Sequence, residues 1–273
     1  MELPFSQQAD FIGEHFFRRD PVSRTRIFDI AVVLGSGLGG FTNHLEKKFA
    51  LSTAHIPGYP ASSVPGHRGE IVSAYLGRRR ILVFSGRVHY YETVSTIDAS
   101  VTAIVSHLLG IKRIILTNAA GILKTTFSPG SLMLIDDQIN LTSGSVLADL
   151  QVPVTNLNPV YDRRLIQIAS KASLETGVPL ERGTYIGLTG PTYETEAEVK
   201  FYRQIGGDAI GMSTIHEAMF ARYAGMEVMG ISCLTNYSTG IRPQKLLHKE
   251  VTDIGRRVDK NFSRLLMSII AQL

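Results

Sequence analysis

The chain has 273 residues, of which 44% are hydrophobic and 19% charged, and it carries a net charge of +4 at pH 7. This length and apolar content suffice for one α/β domain with a large core, and residues 1–273 are interpreted as that single domain. The positive charge lies in short, scattered clusters such as Arg78 to Arg80, which is typical of solvated surfaces and not of a nucleic-acid partner. No apolar run approaches the ~18 residues of a membrane span, so no membrane partner is expected.

The cysteine content and the N-terminal segment favour a cytoplasmic location. Cys233 is the only cysteine, which excludes an internal disulfide framework and a cysteine-based zinc site. Near the N-terminus, phenylalanines such as Phe11 and Phe16 are interleaved with charged residues. This pattern predicts an amphipathic helix and lacks the continuous apolar core of a signal peptide.

Apolar, β-branched runs alternate along the chain with segments of helical spacing. The alternation predicts a parallel or mixed sheet covered by helices on both sides, with binding residues at the strand ends. Residues 142–159 are the least regular part and are interpreted as a surface excursion near the site. Strands are predicted at 30–34, 81–85, 113–117, 131–135, 184–188 and 226–234, and helices at 95–109, 163–176, 196–204 and 213–223.

A glycine cluster with one hydroxyl, Ser36, fills residues 35–40 directly after the first predicted strand, and residues 41–48 are predicted to be helical. Glycines let the backbone approach an anion, and backbone N–H groups with the Ser36 hydroxyl can donate to its oxygens. A structural turn, an inorganic-phosphate site and a dinucleotide site all remain open. The dinucleotide site needs an acidic residue about 20 positions further on. No Asp or Glu occurs from Lys47 to Gly69, which disfavours it.

Arg87 and His89 follow the second predicted strand and project to the same side if the chain stays extended. The arginine fork matches the geometry of phosphate, and the histidine adds a donor whose protonation responds to an anion. The pair therefore favours an oxyanion clamp. The alternative is a structural ion pair with Glu92 beside a core histidine.

Small and polar residues close two further predicted strands. Asn118 and Ala119 follow the third strand, and the Ala119 N–H can donate to an anion. In the loop after the fifth strand, the Tyr193 ring can cover a flat ligand while the Glu194 carboxylate accepts its N–H. Glu194 can instead be a first-turn acid favoured by the helix dipole, and Thr195 is the predicted N-cap of the next helix.

The last two candidate segments repeat the arrangement of a strand followed by a polar side chain. Ser213 is placed to act as a helix N-cap or as an anion ligand. Asn236 ends the last apolar run, and its amide can donate and accept, as recognition of a heterocycle edge requires. For each segment taken alone, a structural cap or turn is the competing interpretation.

Taken together, these segments resemble the trimeric purine nucleoside phosphorylase family from about residue 30 to residue 251. The resemblance implies an α/β fold with a single-domain mixed β-sheet, partly barrel-like and flanked by helices, in a homotrimer. It implies reversible phosphorolysis of inosine, guanosine and their 2′-deoxy forms to a free purine base and (deoxy)ribose 1-phosphate. Inorganic phosphate is then a co-substrate, and no metal or organic cofactor is implied. The motifs that carry the resemblance are Gly35-Ser-Gly-Leu-Gly-Gly40, Val64-Pro-Gly-His67, Gly86-Arg-Val-His-Tyr-Tyr-Glu92, Thr117-Asn-Ala-Ala-Gly121, Gly190-Pro-Thr-Tyr-Glu-Thr195, Gly211-Met-Ser-Thr214 and Leu234-Thr-Asn236.

The family's functional residues carry over onto matching positions of this sequence. Asn236, Glu194 and His89 are the implied catalytic residues, with Asn236 at the N7 and O6 edge of the purine and Glu194 at its N1–H. The implied phosphate-binding residues are Ser36, His67, Arg87, His89, Ala119 and Ser213. The implied nucleoside-binding residues are Tyr91, Asn118, Tyr193, Glu194, Met212, Thr235, Asn236 and His248.

Three features depart from the family pattern. Family members usually place a phenylalanine of the 142–159 loop into the neighbouring ribose pocket, but no aromatic residue occurs between Asn140 and Tyr161. Tyr193 stands where phenylalanine is frequent, and His216 where proline is common. The competing functions are a methylthioadenosine phosphorylase of the same fold, a non-catalytic purine- or phosphate-binding protein, and a dinucleotide-dependent oxidoreductase.

Overall fold

A computed structural model of the protein describes residues 3–20, 28–63, 68–242 and 248–273, with the side chains of residues 47 and 248–252 outside the description. Two predicted site residues are affected: His67 lies outside the described residues, and so does the side chain of His248. Within the described ranges, no helix is long and apolar enough to cross a membrane.

The described residues form nine strands and eight α-helices, with short 3-10 helices at Gly39–His44, Thr53–His55 and Asp98–Ser100. The strands are β1 (Ile30–Leu34), β2 (Glu46–Ser52), β3 (Glu70–Leu76), β4 (Arg79–Ser85), β5 (Arg113–Ile122), β6 (Leu132–Leu141), β7 (Leu180–Leu188), β8 (Ala209–Gly211) and β9 (Glu227–Tyr237). The helices are α1 (Ser6–Arg19), α2 (Tyr90–Thr93), α3 (Val101–Leu108), α4 (Val146–Asp149), α5 (Arg163–Thr176), α6 (Glu196–Gln204), α7 (Ile215–Tyr223) and α8 (His248–Ala271).

The strands form one mixed sheet in the order β2-β3-β4-β1-β5-β8-β7-β6-β9. Because β9 also pairs with β5, the strands β5, β8, β7, β6 and β9 close into a barrel-like ring, from which the other four extend. Helices α5, α7 and α8 pack against β9. The predicted α/β fold with a partly barrel-like, helix-flanked mixed sheet is confirmed.

Parallel pairing brings the carboxyl ends of four strands to one edge of the sheet. β1 lies parallel to β4 and β5, and β5 lies parallel to β9. Leu34 at the end of β1 is aligned with Ser85 at the end of β4, and Asn118 of β5 with Ser232 of β9. The glycine cluster after β1 and the Arg87 segment after β4 therefore emerge side by side, where α/β sheets bind their ligands.

The helix predicted at residues 41–48 is wrong. The chain instead makes the 3-10 turn Gly39–His44 and then enters β2, which pairs antiparallel with β3. Leu45 and Leu51 are buried while Glu46 and Lys48 are exposed, which is the two-residue alternation of a half-buried strand. The tertiary pairing with β3 thus decides the structure of this segment.

Residues 142–159 are a surface excursion, as predicted. Apart from the short helix α4 they form turns and coil, and most of the stretch from residue 151 to residue 158 is exposed. The excursion begins beside the end of β7, because Thr189 Oγ1 donates a 3.0 Å hydrogen bond to the Thr142 carbonyl.

Candidate active site

One pocket at this sheet edge collects the predicted site residues. Its volume of ≈ 290 Å³ is near the lower end of the range for small-molecule sites. Ile210 of the three-residue strand β8 also lines it, which sequence reasoning missed because so short a strand has no recognisable pattern. Every predicted site residue whose side chain is described contributes to the lining: Ser36, Arg87, His89, Tyr91, Asn118, Ala119, Tyr193, Glu194, Met212, Ser213, Thr235 and Asn236.

The glycine turn reaches the pocket because Gly35 passes directly over the neighbouring strand. A Cβ atom on Gly35 would lie 2.7 Å from Asn118 Cα and 2.9 Å from the Thr117 carbonyl oxygen, so a larger residue cannot occupy this position. The Gly35 N–H donates to Thr117 Oγ1 at 3.2 Å, and that hydroxyl donates to the Val33 carbonyl at 2.9 Å. The turn is thereby fixed with Ser36 in the pocket wall.

Arg87 links the segment after β4 to the segment before α7. Its Nη1 donates to Ser213 Oγ at 2.9 Å and to Thr214 Oγ1 at 3.2 Å. Asn118 Nδ2 donates to the same Thr214 hydroxyl at 2.9 Å. Ser213 Oγ also lies 3.2 Å from Thr214 Oγ1. Because Thr214 Oγ1 already accepts two hydrogen bonds, the Ser213 hydroxyl hydrogen can be directed at a ligand. A cation and a hydroxyl donor thus meet in the pocket, as oxyanion binding requires.

Glu217 on α7 is the acidic partner of Arg87, which corrects the alternative pairing with Glu92. Its Oε2 lies 3.5 Å from Arg87 Nε, and the two side chains are 1% and 2% exposed. Thr102 Oγ1 donates to Glu217 Oε1 at 2.6 Å. The buried carboxylate offsets the cost of burying the guanidinium. In the sequence Glu217 looks like an ordinary first-turn acid, so no local pattern identifies this role.

Thr214 forms a strained turn directly before α7. Its φ of 75° and ψ of −42°, with a 2.8 Å hydrogen bond from the Ile215 N–H to the Ser213 carbonyl, make a γ-turn of the rare, positive-φ type. Thr214, and not Ser213, is the N-cap residue of α7, so the N-cap interpretation of Ser213 is wrong. The hydrogen bonds that Arg87 and Asn118 donate to Thr214 Oγ1 hold the strained conformation in place.

His89 is oriented by Glu92 across the first turn of α2. Glu92 Oε1 accepts from the His89 backbone N–H at 2.7 Å and lies 2.9 Å from His89 Nδ1, and the His89 ring stacks on Tyr91 with centroids 5.1 Å apart. Burial alone would raise the pKa of Glu92, but hydrogen bonds from His89 and Ser63 together lower it to about 2. The ionised carboxylate therefore engages Nδ1 and fixes the orientation of the imidazole ring.

Glu194 contributes a buried carboxyl to the pocket. The side chain belongs to a residue that is only 8% exposed, and burial raises the pKa of its carboxyl. It lies before Thr195, the confirmed N-cap of α6, whose first-turn acids are Glu196 and Glu198. The first-turn interpretation of Glu194 is therefore wrong. A buried carboxyl that faces a cavity is suited to accept one specific ligand N–H.

Asn236 presents an oriented amide near the end of β9. Its Oδ1 accepts a 2.7 Å hydrogen bond from Thr235 Oγ1, and its Nδ2 donates to the Tyr237 carbonyl at 3.3 Å. Because the Tyr237 carbonyl can only accept, it fixes which side of the amide carries the nitrogen, and the second N–H of Nδ2 can donate to a ligand acceptor. Tyr193 forms an outer part of the wall and is 41% exposed.

The pocket therefore combines an anion-binding set with a set suited to a planar heterocycle. Arg87, His89 and the Ser36 and Ser213 hydroxyls form the first, while Glu194 and Asn236 form the second. Among the residues that the structure covers, no three His, Cys, Asp or Glu side chains are grouped so as to hold a metal ion.

Comparison with known proteins assigns this chain to a protein family. The family model for the phosphorylase superfamily matches residues 29–271. Purine nucleoside phosphorylase 1 of Geobacillus stearothermophilus is 38% identical over 272 residues, which span 98% of this chain and 96% of that protein. The purine nucleoside phosphorylase of Mus musculus is 36% identical over 256 residues, with 89% of each chain covered.

Solved structures agree with the sequence comparison. The crystal structure of Schistosoma mansoni purine nucleoside phosphorylase in complex with adenosine superimposes with a TM-score of 0.84 at 28% identity, and covers 97% of this chain and 96% of that chain. A schistosoma purine nucleoside phosphorylase in complex with hypoxanthine matches with the same TM-score.

Proposed function

This chain belongs to the phosphorylase superfamily, and we propose that it is a purine nucleoside phosphorylase that cleaves 6-oxopurine nucleosides such as inosine and guanosine. One observation carries the proposal: side chains suited to an oxyanion, Arg87 and Ser213, share a cavity with side chains suited to a purine edge, Glu194 and Asn236. Inorganic phosphate is the co-substrate, and the reaction needs no metal or organic cofactor.

The phosphate-binding residues act on the sugar side of the reaction. A phosphate oxygen forms a bond to C1′ of the ribose while the C1′–N9 bond breaks and its electron pair moves into the purine. The sugar passes through a cationic, oxocarbenium-like state, which an anion close to C1′ stabilises. We assign the anchoring of that anion to Arg87, Ser213 and Ser36. We assign an assisting role to the His89 ring, which Glu92 orients through Nδ1.

The base-binding residues act on the leaving group. Asn236 donates to N7 as negative charge develops on the purine, so its hydrogen bond strengthens in the transition state. Glu194 accepts from N1–H and orients the base, and Tyr193 covers part of the ring. The Thr235 hydroxyl preorganises the Asn236 amide, because it donates to Oδ1 at 2.7 Å.

Phosphate dependence tests the reaction class. Incubated with inosine, the purified protein should release hypoxanthine only when phosphate or arsenate is present, as measured by chromatography. Equal release without either anion would identify a hydrolase. Absence of release in both conditions would leave only a binding protein.

A substrate comparison in the same assay tests the base specificity. Glu194 would face a lone pair on N1 of adenosine, so kcat/KM for inosine should exceed that for adenosine on the order of 100-fold. Binding alone does not decide this, since a relative has been solved with adenosine. Asn236→Asp should reverse the ratio, because a carboxylate accepts from a 6-amino group and repels a 6-carbonyl.

The exposed Asn261 on α8 provides the matched control, since Asn261→Asp makes the same chemical change away from the pocket and should leave the ratio unaltered. A ratio that Asn236→Asp does not move would remove the 6-oxopurine assignment. Faster cleavage of methylthioadenosine than of inosine would favour the methylthioadenosine phosphorylase alternative.

A further inference from the structure

His216 is a buried histidine beside the Ser213–Thr214 turn. It lies in the first turn of α7, two residues after the strained Thr214, and is 5% exposed. Neither ring nitrogen has a hydrogen-bond partner among the described residues. A neutral imidazole carries one donor and one acceptor, so leaving both unsatisfied in the interior is costly and calls for a bound partner.

The ring is enclosed by residues from several elements. Tyr90 of α2 packs against it with ring centroids 5.7 Å apart, and a Cβ atom on Gly144 would lie 3.9 Å from His216 Cε1. The charged group that acts on the ring is Asp149 of α4, which accepts a hydrogen bond from Thr96. Burial lowers the pKa of His216 to about 4, against the opposing effect of Asp149. The ring is therefore neutral at physiological pH.

A small cavity lies between His216 and the Ser213–Thr214 turn. Its volume of ≈ 10 Å³ is room for one water molecule. Polar groups of His216, Thr142, Ser213, Thr214 and His89 line the cavity together with Val88, Tyr90, Ala99 and Met212, and apolar atoms make up most of the wall. A water placed there has the several polar partners that buried waters require.

We propose that His216 is a positioning residue for the phosphate subsite, which holds one water molecule in this cavity and through it stabilises the Ser213–Thr214 turn. The water accepts from or donates to the imidazole and bridges it to the turn whose hydroxyls Arg87 engages. This inference rests on the proposed function, because it concerns how that site holds phosphate. His216 itself touches neither phosphate nor nucleoside.

The kinetics of two substitutions test whether His216 supports the phosphate subsite. His216→Phe keeps a ring against Tyr90 but removes both nitrogens, and should raise the KM for phosphate about tenfold, the loss expected for one hydrogen-bonded link. The KM for inosine should stay within about twofold, because the base residues do not contact His216. His216→Gln, which retains a donor and an acceptor, should recover part of the phosphate affinity.

His107→Phe is the matched control, since His107 is a partly buried histidine packed edge-on to Phe220 and remote from the pocket residues. It should leave both KM values unchanged. A His216→Phe protein with wild-type phosphate KM overturns the proposal, as does one in which both KM values rise equally.

A high-resolution crystal structure of the wild-type protein gives a second test that does not depend on a folded variant. Density for one water within hydrogen-bond distance of a His216 ring nitrogen and of the 213–214 turn supports the proposal, and a dry cavity overturns it. If wild-type protein lacks phosphorolysis altogether, the proposed function fails, while the water site is still decided by this density.

Discussion

At the scale of single residues, the Arg87–Glu217 pair is the most consequential contact of the phosphate subsite. Both side chains are almost fully removed from solvent, with Nε and Oε2 3.5 Å apart. Burying a guanidinium without a counter-charge would be strongly destabilising. Glu217 therefore offsets the cost of burying Arg87 before phosphate binds. Phosphate then brings further negative charge to the same cation. Stability and phosphate binding are therefore linked through this pair.

Glu217→Gln tests that linkage by removing the charge while keeping the shape. Without phosphate, the free energy of unfolding should fall by about 3–5 kcal/mol, because the buried Arg87 guanidinium loses the carboxylate charge beside its Nε. Bound phosphate should compensate part of the loss, so the phosphate-induced rise in Tm should be larger in the variant than in the wild type. Calorimetry with phosphate, and with chloride at equal ionic strength, measures both effects.

Glu227→Gln is the control for this experiment, since Glu227 pairs with Arg113 and Arg164 in a partly exposed ion pair. Its loss should cost about 1 kcal/mol or less and should not alter the phosphate-induced shift. If Glu217→Gln and wild type show equal shifts, Glu217 has no influence on the charge that phosphate meets.

Sequence patterns located most of this site but could not assign its internal pairing. Arg87, His89 and Ser213 were identifiable because each directly follows an apolar run that ends at the sheet edge. The partner of Arg87 depends on where the tertiary fold places α7 relative to the segment after β4, which no local pattern records. Glu92, the nearer acid in sequence, pairs with His89 instead.

At the scale of elements, helix α8 supports the glycine turn. A Cβ atom on Gly255 would lie 2.8 Å from Gly37 Cα and 3.0 Å from its carbonyl carbon, so helix and turn are in backbone contact. One turn further along α8, the Asp259 carboxylate fills the space that a Cβ atom on Gly40 would occupy, and its Oδ1 is the nearest atom. The position of Ser36 is therefore set partly by α8.

Gly255→Ala should consequently impair phosphate use more than nucleoside use. The added methyl must displace the backbone of the glycine turn, and overpacking of this kind costs about 1–3 kcal/mol, offset in part by the better helix propensity of alanine. We expect a raised KM for phosphate, a nearly unchanged KM for inosine and a lower Tm, from steady-state kinetics and thermal unfolding.

Gly13→Ala in α1 is the corresponding control. There the new Cβ would meet the Leu109 side chain at 3.3 Å and the Phe17 side chain at 3.5 Å, and α1 contributes no residue to the pocket. Should Gly255→Ala raise the two KM values in proportion, the close contact would serve stability alone.

Elements whose ends are marked by residues recognisable in the sequence, such as N-caps, were predicted best. Helices α5 and α6 have the predicted bounds, and their N-caps, Asp162 and Thr195, each accept a hydrogen bond from the third residue of the helix. β2 was mistaken for a helix because its identity depends on pairing with β3. No helix was predicted over α8, although Phe262, Leu266 and Ile269 are buried at helical spacing.

At the scale of the whole molecule, the resemblance to trimeric phosphorylases implies that neighbouring chains complete the site. In that family the 142–159 loop reaches the ribose pocket of the next subunit. Here the loop projects a fully exposed Val154, and Val94, which follows the site helix α2, is 75% exposed.

We therefore expect three chains per particle by light scattering, and activity that depends on assembly. Dilution into the nanomolar range should dissociate the trimer and lower kcat/KM for inosine per chain, because an open ribose pocket positions the sugar less well for attack by phosphate. Concentrating the diluted protein back to its starting concentration should restore the activity. This recovery distinguishes reversible dissociation from irreversible unfolding. A monomer that retains full activity at nanomolar concentration would exclude the neighbouring chain from the mechanism, and the pocket described for one chain would then be the complete site.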